Sequence, residues 1–247
     1  MRKPSLAAET LFSSLIDHAP LFPPASLPLD EALDEVARAL ASADAWMWRL
    51  FVCPASRLQE LGDSRLGFSV VVDVPLEALQ LPPDAQAVEG LGDPRRLRGL
   101  GRWETFVELP LDDRLAEAVA EVAAAGADAK VRCGPDAPPV EALAEFIRLC
   151  RTARVKFKAT AGLHHAVRTN GHHGFLNLLA AAIFGDEERA LAEDDAAAFG
   201  VSGESFSWRD REAGVGEIAR VRRDLFRAVG SCSFFEPVEE LRALGFV

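Results

Sequence analysis

Between residues 45 and 161, short apolar runs alternate with stretches in which apolar residues recur every three or four positions. Six runs, 46–53, 67–74, 86–89, 105–109, 128–133 and 155–161, have the length and side-chain content of strands. Leu111, Leu115, Val119 and Val122 trace one helical stripe between them. Val140, Leu143, Ile147 and Cys150 trace another, directly after Pro138 and Pro139. Strands alternating with helices predict a parallel sheet with right-handed crossovers.

The flanks are patterned differently. Residues 1–44 read as two helices around a proline-rich turn at 21–28. The second helix carries Leu29, Leu33, Val36 and Leu40, with Asp30 and Glu31 at its start, where the helix dipole favours acids. The last third reads as helices over 173–184 and 187–198, then one with Ile218, Val221, Leu225 and Val229 on a single face. Two weaker strands are expected at 204–208 and 231–235. Six strands and two weaker ones predict an α/β fold, a (β/α)8 TIM-like barrel within one domain. It comprises an N-terminal helical segment (1–44), core βα units (45–165) and a helix-rich closure (166–247). The early βα units are short, so an incomplete barrel or an open doubly wound sheet stays open as an alternative.

Alternation along each strand sorts side chains into an outward apolar face and an inward mixed one. The inward set holds Arg49, Asp73, Glu89, Glu108, Lys130, Arg132, Lys156 and Lys158. Barrel interiors are normally filled with Val, Ile and Leu, and their active sites lie at strand C-termini, where Asp73, Glu89, Glu108, Arg132 and Lys158 fall. Either these groups pair into a neutral plug or they form a site.

Composition sharpens this picture. The formal charge is 27 − 38 = −11, which excludes a generic nucleic-acid surface and disfavours anionic membranes. The longest apolar stretch, 175–184, is too short to span a bilayer. Glu9 and Asp17 interrupt the N-terminal segment, so no signal peptide is read. Four cysteines without C-x-x-C spacing predict reduced, buried thiols and a cytoplasmic protein. A homo-oligomer is compatible with the chain, and no cofactor is implied. Of the 27 cations only four are lysines, and Lys130, Lys156 and Lys158 lie on two neighbouring predicted strands.

Lys158 is the sharpest catalytic candidate, because an amine beside other cations loses its proton more readily and can attack a carbonyl. Simple anion binding by Lys158 is the alternative. Glu89 and Glu108 would move protons. Residues 162–174 hold four of the five histidines in a loop entering a helix. His164 or His165 would serve as acid/base, and His172 or His173, with Asn177, would bind substrate beside Lys130, Arg132, Lys156 and Arg49. Two histidines with the glutamates would instead suit a divalent metal, but H-H pairs lack ligand spacing, so no metal ligand is assigned. Asp17 reads as a barrel cap or plug.

The segments LFPPA, FKATAGLHH, HGFLN and GSCSF resemble a family of uncharacterised bacterial proteins of about this length, which implies no activity. More distantly, a lysine-ended strand followed by a glycine-containing loop is similar to Schiff-base aldolases of the deoxyribose-phosphate type. The expectation is an enzyme of lyase or aldolase type acting on a small carboxylate or phosphate metabolite. A metal-dependent isomerase or hydrolase and a noncatalytic small-anion binder are the alternatives.

Overall fold

The computed structural model describes residues 3–62, 66–134 and 137–247. Helix α1 (Leu6–Phe12), capped by the Ser5 hydroxyl, precedes β1 (Ile16–His18), and α2 (Leu29–Ala41) leads to β2 (Trp48–Pro54). Strands β3 (Phe68–Val71) and β4 (Ala85–Gly90) follow, joined among the described residues only by 3-10 turns at Ala55–Leu61 and Leu76–Ala78. Then α3 (Pro94–Arg98), β5 (Glu104–Glu108), α4 (Leu115–Ala125), β6 (Asp128–Arg132), α5 (Val140–Ala153) and β7 (Phe157–Thr160) alternate. After β7 come α6 (Phe175–Phe184), α7 (Glu187–Ala192), the strands β8 (Phe199–Val201), β9 (Ser205–Trp208) and β10 (Arg211–Gly214), then α8 (Val215–Asp224), β11 (Phe226–Ser231) and α9 (Phe235–Ala243).

Strands β1 to β7 and β11 close a parallel barrel in the order β1-β11-β7-β6-β5-β4-β3-β2. The expected eight-stranded barrel is therefore present and closed, but two of its strands are not the expected ones. β1 is three residues long and lay hidden in the segment read as helix. β11 lay hidden behind the 218–229 periodicity, because α8 stops at Asp224 and Val229 belongs to a strand. A strand buried on both faces carries no period-2 signal to set against a helical one. The expected strand at 204–208 forms as β9, in a separate antiparallel sheet with β8 and β10. The one expected at 231–235 overlaps β11 only at Ser231.

The apolar core lies outside the barrel, between strands and helices. Phe157 of β7 meets Phe146 of α5 with ring centroids 5.3 Å apart, and Phe226 of β11 at 5.0 Å. Inside, the buried apolar cluster among the described residues is Leu50, Ala87 and Phe106. In β2 the parity differs from expectation: Leu50 and Val52 face inward, Phe51 and Cys53 pack outward with Ala32 and Val36 of α2. The β1–β2 register shifts between Ile16 and Asp17, pairing them with Trp48 and Leu50, which skips Arg49.

The loop after β7 is set by backbone approach. Gly162 has φ +68°, and a Cβ there would stand 3.2 Å from Gly134 Cα and 3.3 Å from the Cys133 carbonyl. Gly162→Ala should therefore cost roughly 1–2 kcal/mol from the left-handed conformation alone. Urea unfolding checks this; a variant as stable as wild type would show that this loop yields freely.

Candidate active site

Inside the barrel, carboxylates and ammonium groups from different strands meet in a chain of contacts of alternating sign. Lys130 and Lys158 are register partners on β6 and β7, and Glu108 of β5 is the register partner of Lys130. Glu89 of β4 bridges the two lysines: its carboxylate accepts from Lys158 Nζ at 3.0 Å and Lys130 Nζ at 2.9 Å, and from Ser69 Oγ at 2.6 Å. Lys130 Nζ also donates to Glu108 at 3.0 Å, and Lys158 Nζ to Asp17 of β1 at 2.5 Å. The Phe106 ring lies 5.4 Å from Lys158 Nζ. Asp17 continues the ladder downward through a two-oxygen contact with Arg49 at 2.7 and 2.8 Å. Arg49 also meets Glu104, which accepts from Arg227 at 2.6 Å.

This corrects the expectation of a net-positive interior. Asp17 and Glu104 supply carboxylates that strand alternation did not assign. Lys156 lies at the opposite, N-terminal end of the strands, where it pairs with Asp128 at 3.3 Å. Arg49 lies in the lower part of the ladder, so neither lines the cavity. Asp73 is exposed and accepts from Ser56 N and Oγ in the loop after β2.

The electrostatics follow from burial against pairing. Burial alone would raise the Glu89 carboxyl, but Lys130 and Lys158, aided by Ser69, outweigh it and hold it below the ordinary carboxylate range. Burial alone would lower Lys130, but Glu89 and Glu108 outweigh it and raise it above the ordinary lysine value. At Lys130 the carboxylates interleaved between the cations, and not the neighbouring ammonium, set the direction. All four cysteines are buried and free, and burial pushes the Cys53 and Cys133 thiols up to about 12, so neither is a thiolate nucleophile.

A cavity of about 550 Å³ opens above this ladder, at the C-terminal ends of the barrel strands. Its floor is Glu89, Glu108, Lys130 and Lys158. One wall, from β1–β4 and their loops, is Phe22, Pro23, Pro24, Val52, Val71, Val72 and Leu91. The other is Arg132, Thr160, Gly162, His164, His165, His172, Gly230 and Cys232. His164 Nδ1 faces Glu236 of α9 at 2.9 Å, with Cys232 Sγ 3.7 Å from its ring, and His165 Nδ1 faces Glu240 at 2.6 Å.

Two further expectations fail here. His173 is fully buried outside the cavity, with Nε2 2.8 Å from the Pro138 carbonyl. Burial, with Arg168 beside it, lowers its pKa. Asn177 is also buried; its Oδ1 accepts from Arg168 N, and its Nδ2 donates to the carbonyls of Ala190 and Glu193. Both hold the loop and α6 in place. Among the cavity residues, the sequence pattern did not single out Phe22, Val72 and Leu91. Asp17, below the floor, was named but read as a plug. The apolar pair Leu15-Ile16 before Asp17 was its only strand signal. Among the described residues, no three His, Cys, Asp or Glu side chains converge as a metal site.

Comparison with protein-family models finds no match, and comparison with curated proteins finds none either. The fold does match a solved structure, deoxyribose phosphate aldolase from Aeropyrum pernix. The TM-score is 0.53 at 14% identity, over 97% of this chain and 98% of that one. That establishes a shared barrel fold. Among the described residues, no helix is long and apolar enough to cross a membrane.

Glu89→Gln should leave Lys130 and Lys158 undercompensated and cost about 3–5 kcal/mol at neutral pH. The native Glu89 pKa is depressed, so its contribution is full above the ordinary value of 4.5 and fades as pH falls below it. The native Lys130 pKa is raised, so its contribution is full below 10.5 and fades as pH rises past it. Thermal unfolding of both proteins across pH should show their gap constant between these limits and narrowing toward acid. A gap that widens in acid would contradict this sign.

Proposed function

We propose that this chain is a lyase of aldolase type that forms a Schiff base between a buried lysine and a small anionic carbonyl metabolite. The observation carrying it is an amine on the cavity floor, set between two carboxylates and beneath an opening at the strand C-termini. The likeness in fold to deoxyribose phosphate aldolase supports the reaction type. The Aeropyrum pernix aldolase is tetrameric, and a homo-oligomer is part of this reading.

Geometry favours Lys130 over Lys158 as the amine. The Lys158 side chain is 0% exposed and enclosed by Asp17, Glu89 and the Phe106 ring, whereas that of Lys130 is 6% exposed and adjoins Glu108, at 18%. Glu108 takes the proton of Lys130, and the neutral amine attacks the carbonyl carbon. The carbinolamine hydroxyl leaves as water with a proton returned by Glu108, giving an iminium. Cleavage of the carbon–carbon bond sends its electron pair toward the iminium nitrogen as an enamine, while the β-hydroxyl proton passes to a carboxylate. Protonation of the enamine carbon and hydrolysis free the second product and the amine. Lys158 keeps Glu89 anionic and fixed, Arg132 receives the substrate's anionic group, and His164 and His165 border the departing fragment.

Borohydride reduction with a panel of carbonyl acids, followed by peptide mass analysis, should place the adduct on Lys130 and lose it in Lys130→Arg. Trapping should quicken up to about tenfold per pH unit through neutrality, because the neutral fraction of a raised amine grows at that rate. Adduct on Lys158 would reverse the assignment of the two lysines. No adduct across the panel, with binding retained, would leave a noncatalytic anion-binding protein.

A further inference from the structure

We infer that the cavity selects a carboxylic acid with an apolar body, and that it has no place for a phosphate ester. This deepens the aldolase reading and rests on it only for the carbonyl chemistry. The two cavity walls differ in kind. Phe22, Val52, Val71, Val72 and Leu91 present a continuous apolar surface from the β1–β4 side. Leu91 is 70% exposed at the mouth, one of three large exposed hydrophobic side chains among the described residues. A sugar phosphate would leave this wall wet and unused, whereas an aliphatic or aromatic body would cover it.

The opposite wall explains the missing phosphate. Barrel enzymes commonly seat phosphate in the loops after the seventh and eighth strands, where backbone amides and a helix N-terminus are free. In this chain the seventh and eighth barrel strands are β7 and β11, and α9 fills that place with its own acids. Glu240 accepts from Ala166 N at 2.5 Å and faces His165, while Glu236 faces His164. The Phe234 amide, at the start of α9, is turned to Glu35 at 3.4 Å. A phosphate dianion placed there would meet two carboxylates and no spare amide from these residues. Farther along the same wall, Arg132 of β6 is exposed, lines the cavity and has no ion-pair partner among the described residues. One carboxylate matches that single guanidinium, and its chain can then lie on the apolar wall.

Calorimetric titration of the full chain with unreactive straight-chain carboxylates, from acetate to heptanoate, tests this without any covalent step. Each added methylene should tighten binding about three- to fourfold until the wall is covered. Inorganic phosphate and methyl phosphate should bind no better than acetate. Arg132→Gln should weaken the whole series about tenfold and keep the increment per methylene. Leu91→Ser, an exposed change that cannot threaten the core, should reduce the increment for the longer acids and spare the short ones. A series flat in chain length, or methyl phosphate binding more tightly than the acids, would overturn the inference. Failure of borohydride trapping with this series intact would sink the Schiff base alone.

Discussion

Glu89 sits between two ammonium groups on neighbouring strands, and the barrel interior is arranged around that contact. Where a barrel of this kind normally packs branched aliphatic side chains in layers, the buried apolar cluster among the described residues is Leu50, Ala87 and Phe106. The remaining interior is charge, and burying charge is costly unless every group is paired and hydrogen-bonded. The ladder Glu104–Arg49–Asp17–Lys158–Glu89–Lys130–Glu108 pairs every charge by alternating sign at each step, with the Arg49 Nε–H left without a hydrogen-bond partner. Its middle, from Arg49 to Glu89, is a plug, and on the cavity side it becomes accessible at Lys130 and Glu108. The choice between plug and site therefore dissolves: the lower part supports the upper part, which opens into the cavity.

The strands that place Glu89, Glu108, Lys130 and Lys158 were legible because alternation is read locally, and β5–β7 pair without a register shift while the one between β3 and β4 falls before Ser69. The barrel's closure was not legible. β1 spans three residues and is stabilised by pairing with β2 and β11, which are remote in sequence. Asp17 was read as a plug, as its place below the floor bears out, but its partners Arg49 and Lys158, 32 and 141 residues away, were not legible. Arg49 is inside as expected, but at the register shift between β1 and β2 and in the lower part of the ladder, away from the cavity.

The histidine-rich loop shows the same division between local chemistry and long-range packing. His164 and His165 reach the cavity, whereas His173, eight residues on, is a buried partner of a backbone carbonyl. Residue type alone does not separate them. What separates them is α9, whose Glu236 and Glu240 hold one pair of histidines at the rim, and α6, whose Asn177 pins the rest of the loop. That choice of partners also decides which anions the loop can receive.

The scarcity of lysine makes the central claim directly measurable. With 13C-labelled lysine the chain should give four side-chain resonances, from Lys3, Lys130, Lys156 and Lys158. Following them through a pH titration by NMR reads the state of the ladder without substrate. If carboxylates interleave the cations as described, the Lys130 resonance titrates above the ordinary lysine value of 10.5. A Lys130 resonance that titrates below it would show that like charges dominate the interior, and the account of the ladder would fail.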